Sequence, residues 1–548
     1  MRLTTGDIIA DSLVRNGVDT VFGIPGAHMY DFNDALARRA DRVRFIHTRH
    51  EQAAGFMAYG HARSTGRPGV YTVVPGPGLL NSGAALATAY GANAPVMCIT
   101  GNIVSGLVGR GRGQLHELPD HLATLRGLTR WAARINHPSE AARIMARAFG
   151  QMRSGRQGPV GVETPWDVLG QDMPGPVEHP DAPVAPPPPP DPVEIERAAR
   201  LIAGARRPLV MVGGGALHAG GEIAELARRL DAPVTAHRAG KGVVPEDDDH
   251  FLMPPAAWDY WQRADLLVGI GSRLELQHFR WRWFPPGLRT VRIDIDPTEF
   301  VRLPADAPVL ADAAAGVRAL LEALPTRIRH QTSGSAERAA LRRRAALRVA
   351  ALEPQASFLG AIRDALPPDG FFVEEVCQAG FTARLSFPVS APRLYVSCGY
   401  QETLGFGFPT ALGVKVANPD RAVLGISGDG GFLFGVQELA TAVQHGINVV
   451  MVVFNNGAYG NVLRDQRERY GNRILGAALH NPDFVALAES FGALGLRADE
   501  PDALRRAIRD AFEADRPAVI VVPVRGGVET SPWPLLHPAP PEGRAAEG

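Results

Sequence analysis

The chain has only three cysteines in 548 residues: Cys98, Cys377 and Cys398. They are widely spaced, odd in number and free of paired-thiol or zinc spacing, so a disulfide framework is excluded and a reducing compartment is expected. Charge of one sign is also lacking. Lys plus Arg and Asp plus Glu both number 57, which gives no net-charge argument for nucleic acid or an anionic membrane as partner. No segment has the unbroken apolar length of a membrane span, and Met1 to Ala10 holds no continuous apolar signal core. A cytoplasmic protein is the expectation. Absent too is any strand followed by a full Gly-x-Gly-x-x-Gly with an acidic residue at the expected remove, which counts against a plain Rossmann oxidoreductase.

A hydrophobic content of 45% and a charged content of 21% suit three core-forming domains. Pro183 to Pro192 includes an unbroken proline run from Pro186 to Pro190, which no helix or central strand accepts. It marks a linker over 176–192 between an N-terminal domain, 1–175, and a central domain, 193–330. A second linker is expected between Thr326 and Ser335. An Arg/Ala-rich helix from Ala336 to Leu352 then opens a third domain, 336–530, with a Pro-rich tail over 531–548. Strands are expected at Pro208 to Val212, Leu266 to Ile270 and Thr290 to Ile295 in the central domain. In the third they are expected near Phe371, Leu394, Ala422, Ile447 and Ala518. Alternation of strands with helical periods makes each region α/β, a doubly wound parallel sheet.

The most informative residues are Asp429 and Asn456. Ala422 to Ser427 reads as a buried strand, and Gly428-Asp429-Gly430-Gly431 follows as a turn whose N–H groups can approach phosphate oxygens. Val436, Leu439, Ala440 and Val443 give Val436 to His445 the spacing of an amphipathic helix, and Ile447 to Phe454 is the next strand. Parallel strands joined this way end at one edge of the sheet, so Asp429 and Asn456 arrive side by side. A carboxylate and an amide oxygen beside a phosphate cradle suit Mg²⁺, which takes few protein ligands and fills the rest from phosphate and water.

Gly428-Asp429-Gly430 with Asn455-Asn456, where Asp429 and Asn456 stand 27 positions apart, resembles the thiamine diphosphate motif of the acetohydroxyacid synthase, pyruvate oxidase and benzaldehyde lyase superfamily. The resemblance covers nearly the whole chain as pyrimidine-binding, central and diphosphate-binding domains. It implies thiamine diphosphate and Mg²⁺, with metal ligands Asp429, Asn456 and the Ala458 carbonyl. It also implies cofactor contacts at Pro75, Gly76, Gln378, Glu402, Leu404, Gly428, Gly430, Gly431, Tyr459, Gly460 and Asn461. Glu51, in Thr48-Arg49-His50-Glu51-Gln52, resembles the family's catalytic glutamate at a helix start; a carboxylic acid against the aminopyrimidine promotes removal of the thiazolium C2 proton. Glu51 and the metal site lie in different domains, and in the family the two halves come from different subunits. A homodimer at least, and a homotetramer by further resemblance, is therefore expected.

Substrate-side positions depart from the synthases. His28, in Pro25-Gly26-Ala27-His28, resembles the active-site histidine of benzaldehyde lyase and can relay protons. His116 replaces the glutamine of the Phe-Gln-Glu motif, and Gln114 stands near enough to supply the amide instead. Arg110 and Arg112 are either carboxylate-recognising or simply solvated. Asp465 stands where the synthases place a tryptophan that selects a larger second 2-oxo acid. Leu404 replaces the methionine that bends the cofactor. Glu402 matches a position whose backbone carbonyl faces the cofactor, so its side chain is expected to point away. Some relatives bind FAD in the central domain; Phe251 to Trp258 lacks their Gly-rich, His-containing loop, which argues against FAD. The glycines at 213–215 and 271 read as structural, and the sequence reveals no basic nucleotide pocket there.

The resemblance implies a decarboxylase that handles a small 2-oxo acid and passes the acyl anion equivalent to an aldehyde or ketone, as acetolactate synthases do. A benzaldehyde-lyase-like cleavage and ligation of 2-hydroxy ketones is the near alternative, favoured by His28. A 2-hydroxyacyl-CoA lyase comes next, and intact Glu51, Asp429 and Asn456 argue against a non-catalytic binding member.

Overall fold

The computed structural model describes residues 3–326, 328, 334–526 and 528–541. Most of the expected second linker, 327 and 329–333, and the end of the expected tail, 542–548, lie outside the described residues. The first sheet contains β1 (Thr20–Gly23), β2 (Arg44–His47), β3 (Gly69–Val73), β4 (Val96–Asn102), β5 (Trp131–Arg134) and β6 (Val160–Pro165), in spatial order β2-β1-β3-β4-β6-β5. The second contains β7 (Pro208–Val212), β8 (Val234–Ala236), β9 (Leu266–Ile270), β10 (Arg289–Asp294) and β11 (Ala307–Leu310), in order β11-β10-β9-β7-β8. The third contains β12 (Phe371–Glu374), β13 (Tyr395–Ser397), β14 (Val423–Gly428), β15 (Val450–Asn455), β16 (Leu494–Arg497) and β17 (Ala518–Pro523), in order β13-β12-β14-β15-β17-β16. The first and third sheets thus share one topology, and the pairs in all three are parallel.

Central strands such as β3, β4, β7 and β9 are buried along their whole length, as strands covered by helices on both faces must be. The order reverses inside each sheet between β1 and β3, between β7 and β9, and between β12 and β14, and the first and third sheets turn back again at their β6-β5 and β17-β16 edges. Loops leaving the strand ends on either side of a reversal diverge and leave a crevice. The α/β expectation therefore holds for all three regions. Some details differ. The helix expected from Val436 begins at Glu438, after a series of tight turns, and in the central and third domains the short strands β8, β11 and β16 stand where none is expected. The Pro-rich tail also contains a helical turn, Trp533–Leu536, packed on Phe381. No helix among the described residues is long and apolar enough to cross a membrane.

One continuous core joins the first and third sheets. Its centre is the crossing of helix Glu51–Thr65 with helix Gly407–Ala417, where glycines bring the backbones together. A Cβ at Gly60 would collide with the Thr410 carbonyl, and one at Gly413 with the Met57 carbonyl. Phe406 closes the crossing edge-on against Phe56 and Tyr59, and Tyr59 donates to the Ser397 carbonyl at 2.6 Å. Glu51, the first residue of one helix, is fixed through this crossing to the third sheet. Gly413→Ala is expected to lower stability by about 1–3 kcal/mol or more through overpacking. Gly360→Ala, whose methyl meets nothing within 4 Å, is expected to raise it by up to about 1 kcal/mol. Thermal unfolding of the two variants checks this, and equal midpoints would contradict it.

Candidate active site

β14 and β15 run parallel with Gly428 opposite Phe454, so Asp429 and Asn455-Asn456 leave the sheet together. Asp429 is buried and opens the short helix Asp429–Phe432. Its Oδ1 accepts from the Gly430 N–H at 2.9 Å, and its Oδ2 from the Gly457 N–H at 2.8 Å and Asn481 Nδ2 at 2.6 Å. Burial raises its pKa, and these neutral donors offset only part of that rise. Asn456 Oδ1 accepts from the Ala458 N–H at 3.1 Å, while Nδ2 donates to Glu529 Oε2 at 2.7 Å.

The cradle admits only small residues. A Cβ at Gly430 would lie 2.5 Å from Tyr459 Cε1, one at Gly431 2.6 Å from Glu375 Oε1, and one at Gly460 2.8 Å from Asn456 Nδ2. Gln378 enters from the end of β12, across the reversal from Asp429, and its Oε1 is buried with no partner, as is Asn481 Oδ1. Glu402 has φ 48°. Its Oε1 accepts from Arg384 at 2.7 Å, Arg238 at 3.0 Å and Arg280 at 3.2 Å, so the side chain turns toward the arginines. Leu404 is half-buried in the next turn. Asn461 uses its side-chain carbonyl to accept from Trp533 Nε1 at 2.6 Å, and Asp465 pairs with Arg464 at 2.7 Å.

At the first sheet, Glu51 follows the N-cap His50, whose Nδ1 accepts from the Gln52 N–H at 3.1 Å. Glu51 Oε2 accepts from Asn81 Nδ2 at 3.0 Å. Pro75 and Gly76 are buried beyond β3; a Cβ at Gly76, φ 63°, would lie 2.6 Å from the His116 carbonyl. His28 and His116 both sit at φ 67°. Their rings meet edge-on with centroids 5.3 Å apart, and Trp166 flanks His28 at 5.7 Å. Each imidazole Nδ1 is buried without a partner. Burial, with His116 adding to it, lowers the His28 pKa, so the ring is neutral at pH 7. The crevice thus gathers His28, His116 and Gly76, whereas Gln114, Arg110 and Arg112 are exposed; the backbone N–H of Gln114 donates to Glu117 at 2.9 Å.

Three family models match along the chain. They are described as "Thiamine pyrophosphate enzyme, N-terminal TPP binding domain" over residues 3–124, its "central domain" over 195–320 and its "C-terminal TPP binding domain" over 375–522. The chain belongs to the thiamine pyrophosphate enzyme family. Thiamine pyrophosphate is thiamine diphosphate by its other name. A probable 2-ketoarginine decarboxylase of Pseudomonas aeruginosa is 36% identical over 523 residues, covering 93% of this chain and 92% of the relative. A probable acetolactate synthase large subunit of Methanocaldococcus jannaschii is 33% identical, covering 98% and 94%. An acetolactate synthase large subunit of Haemophilus influenzae is 30% identical, covering 95% and 94%. This is a thiamine diphosphate enzyme of the acetolactate synthase and decarboxylase group.

The fold of this thiamine diphosphate enzyme brings in residues that local sequence patterns did not mark. Asn481, from the segment after helix Gly460–Arg469, braces Asp429, and Glu529 arrives from beyond β17. A third is Glu375, fully buried at the end of β12. Its oxygens accept from the Gly405 N–H, the Gly407 N–H at 3.1 Å and Ser427 Oγ at 2.8 Å, which ties the turn after Leu404 to the Gly428-Asp429 turn. The central domain also holds an Arg-rich cavity of about 450 Å³ at the β7/β9 reversal, lined by Arg63, Arg153, Arg156, Arg273 and Arg393 among others. No one stretch of the sequence displays this basic pocket, because its arginines come from all three domains. Glycines line it too: a Cβ at Gly271, φ 53°, would lie 2.6 Å from the Gly215 carbonyl carbon.

Burial pushes the Glu375 carboxyl up to about 7 against four lowering hydrogen bonds, from Ser427 and the backbone of Gly405, Gly407 and Phe406. The folded chain therefore keeps a proton that the unfolded chain has released between pH 4.5 and 7, and this contribution to stability is lost as pH rises through that window. Glu375→Gln is expected to remove that slope from the pH profile of unfolding. It is also expected to cost about 1–3 kcal/mol, since an amide NH₂ then faces an N–H donor. An unchanged slope would contradict the assignment.

Proposed function

We propose that the enzyme decarboxylates a small 2-oxo acid with thiamine diphosphate and Mg²⁺ and passes the acyl anion equivalent to a carbonyl acceptor. The observation that carries this reading is the buried Asp429 carboxylate, held by neutral donors alone beside the Asn456 amide, at the edge where a glycine turn leaves room for a diphosphate. Among the described residues, no group of three or more His, Cys, Asp and Glu side chains could hold a metal. The donors available here are instead one carboxylate, one amide oxygen and the Ala458 carbonyl, a hard oxygen set that suits Mg²⁺ completed by phosphate oxygens and water. The partnerless Gln378 Oε1 is a further polar atom left for a ligand. When bound, thiamine diphosphate supplies an acidic C2–H and a sink for the electron pair released with CO₂.

The chain's own residues supply positioning and proton handling. Glu51, oriented by Asn81, holds a proton at N1′ of the aminopyrimidine. Glu402, clamped by three arginines, fixes the backbone turn that leads to Leu404. Neutral His28, with His116 against it, accepts or returns a proton at the substrate oxygen. The half-sites carry exposed apolar side chains: Leu80, Leu115 and Trp166 near the first sheet's edge, Phe434, Ile474 and Leu475 near the third's. Covering both is consistent with a homodimer as the catalytic unit.

A second reading ends the reaction by protonation, giving an aldehyde. It is favoured by the relative named a decarboxylase and by Asp465 in place of the acceptor-selecting tryptophan. Both readings are tested by measuring CO₂ and products from a panel of 2-oxo acids, with and without aldehyde acceptors. A 2-hydroxy ketone formed with CO₂ supports ligation, and aldehyde equimolar with CO₂ supports the second reading. CO₂ release is expected to stop on removal of Mg²⁺ by a chelator and to fall roughly 10²- to 10⁴-fold in His28→Ala. No CO₂ from any acid would overturn the proposal.

A further inference from the structure

Glu529 lies outside the glycine turn and outside the segments that make the metal-side loops, yet its carboxylate reaches Asn456. The contact is built. Thr530 N–H donates to the Glu353 carbonyl at 2.9 Å, and the Thr530 carbonyl accepts from Gln355 Nε2 at 2.8 Å. Ser531 Oγ accepts from Arg464 at 2.8 Å, and Trp533 donates to Asn461 at 2.6 Å while its ring lies under the Arg464 guanidinium. The residues flanking Glu529 on its C-terminal side are therefore anchored to helix Gly460–Arg469 and to the start of helix Gln355–Ala365. With them fixed, Glu529 Oε2 stands 2.7 Å from Asn456 Nδ2.

An asparagine amide has two faces, and only its oxygen can ligate a hard cation. Two contacts set the orientation of Asn456 independently. The carboxylate of Glu529 can only accept, so Nδ2 must face it; the Ala458 N–H can only donate, so Oδ1 must face that side. Gly460 makes room for the amide in this orientation, since a Cβ there would lie 2.8 Å from Nδ2. We propose that Glu529 is a positioning residue. By holding Asn456 Nδ2 it presents Asn456 Oδ1 to the cation, so that a residue beyond β17 sets the affinity for the metal. Outer-shell partners of metal ligands commonly act in this way. The inference rests on the proposed Mg²⁺ site at Asp429 and Asn456.

The test is calorimetric titration of the full-length protein with Mg²⁺ at saturating thiamine diphosphate, for wild type, Glu529→Ala, Glu529→Gln and Asp429→Ala, each first checked for folding by thermal unfolding. Glu529→Ala is expected to weaken Mg²⁺ binding by about 10- to 100-fold. Glu529→Gln retains an oxygen that can accept from Asn456 and is expected to stay within a few-fold of wild type. With saturating Mg²⁺, kcat of Glu529→Ala is expected to recover. Wild-type affinity in both Glu529 variants would overturn the proposal. Equal weakening in both would also overturn it, by assigning the effect to charge rather than orientation. Wild-type affinity in Asp429→Ala would instead sink the underlying metal site, which keeps the two failures distinct.

Discussion

Parallel strands deliver all their following loops to one edge, and where strand order reverses, two adjacent loops must part. That constraint governs where this chain can do chemistry. In the first sheet the reversal separates the loop carrying His28 from the one carrying Pro75 and Gly76. In the third it separates Glu375, Cys377 and Gln378 from Gly428 and Asp429, and in the second it opens the Arg-rich cavity. The shared order of the first and third sheets gives two equivalent crevices. The glycine-mediated helix crossing fixes the two sheets to one another, and Glu51 begins one of those crossing helices.

Electrostatics divides the third domain in two. Glu374 and Glu402 are met by arginines: Arg384 binds both, and Arg238 and Arg280 bind Glu402. Around Asp429 the balance is different. Burial raises Asp429, Glu375 and Glu529 alike, and Asp429 raises Glu529 further; the hydrogen bonds described for these three come from amides, backbone N–H groups and one hydroxyl. An edge rich in carboxylates and met by neutral donors favours a bound cation, and the neighbouring glycine turn favours the anion that cation would bring.

The sequence made the strands around Asp429 and Asn456 legible because both are buried runs ended by glycine or asparagine, a local pattern. Helix starts such as Glu51 were legible for the same reason. His28 and His116 could be named but not paired, since 88 positions separate them and only the strand order brings their rings together. Asn481 and Glu529 carry no motif, and their role depends on which loop folds back across the sheet edge. Asn461 belongs to the metal-loop motif, yet its side chain is taken by Trp533, from a stretch that composition alone presents as a Pro-rich tail. The cavity arginines were invisible because no two neighbouring segments contribute the set.

The central claim is that Glu51 activates the thiazolium carbon of a thiamine diphosphate whose diphosphate sits at the Asp429 edge. The most direct measurement is the hydrogen–deuterium exchange rate of the cofactor C2 proton, followed by rapid-quench NMR on the wild type and on Glu51→Gln, both saturated with Mg²⁺ and cofactor. The account predicts fast exchange in the wild type and a fall of at least about 100-fold in Glu51→Gln, with cofactor affinity largely kept. Equal exchange rates in the two proteins would contradict it.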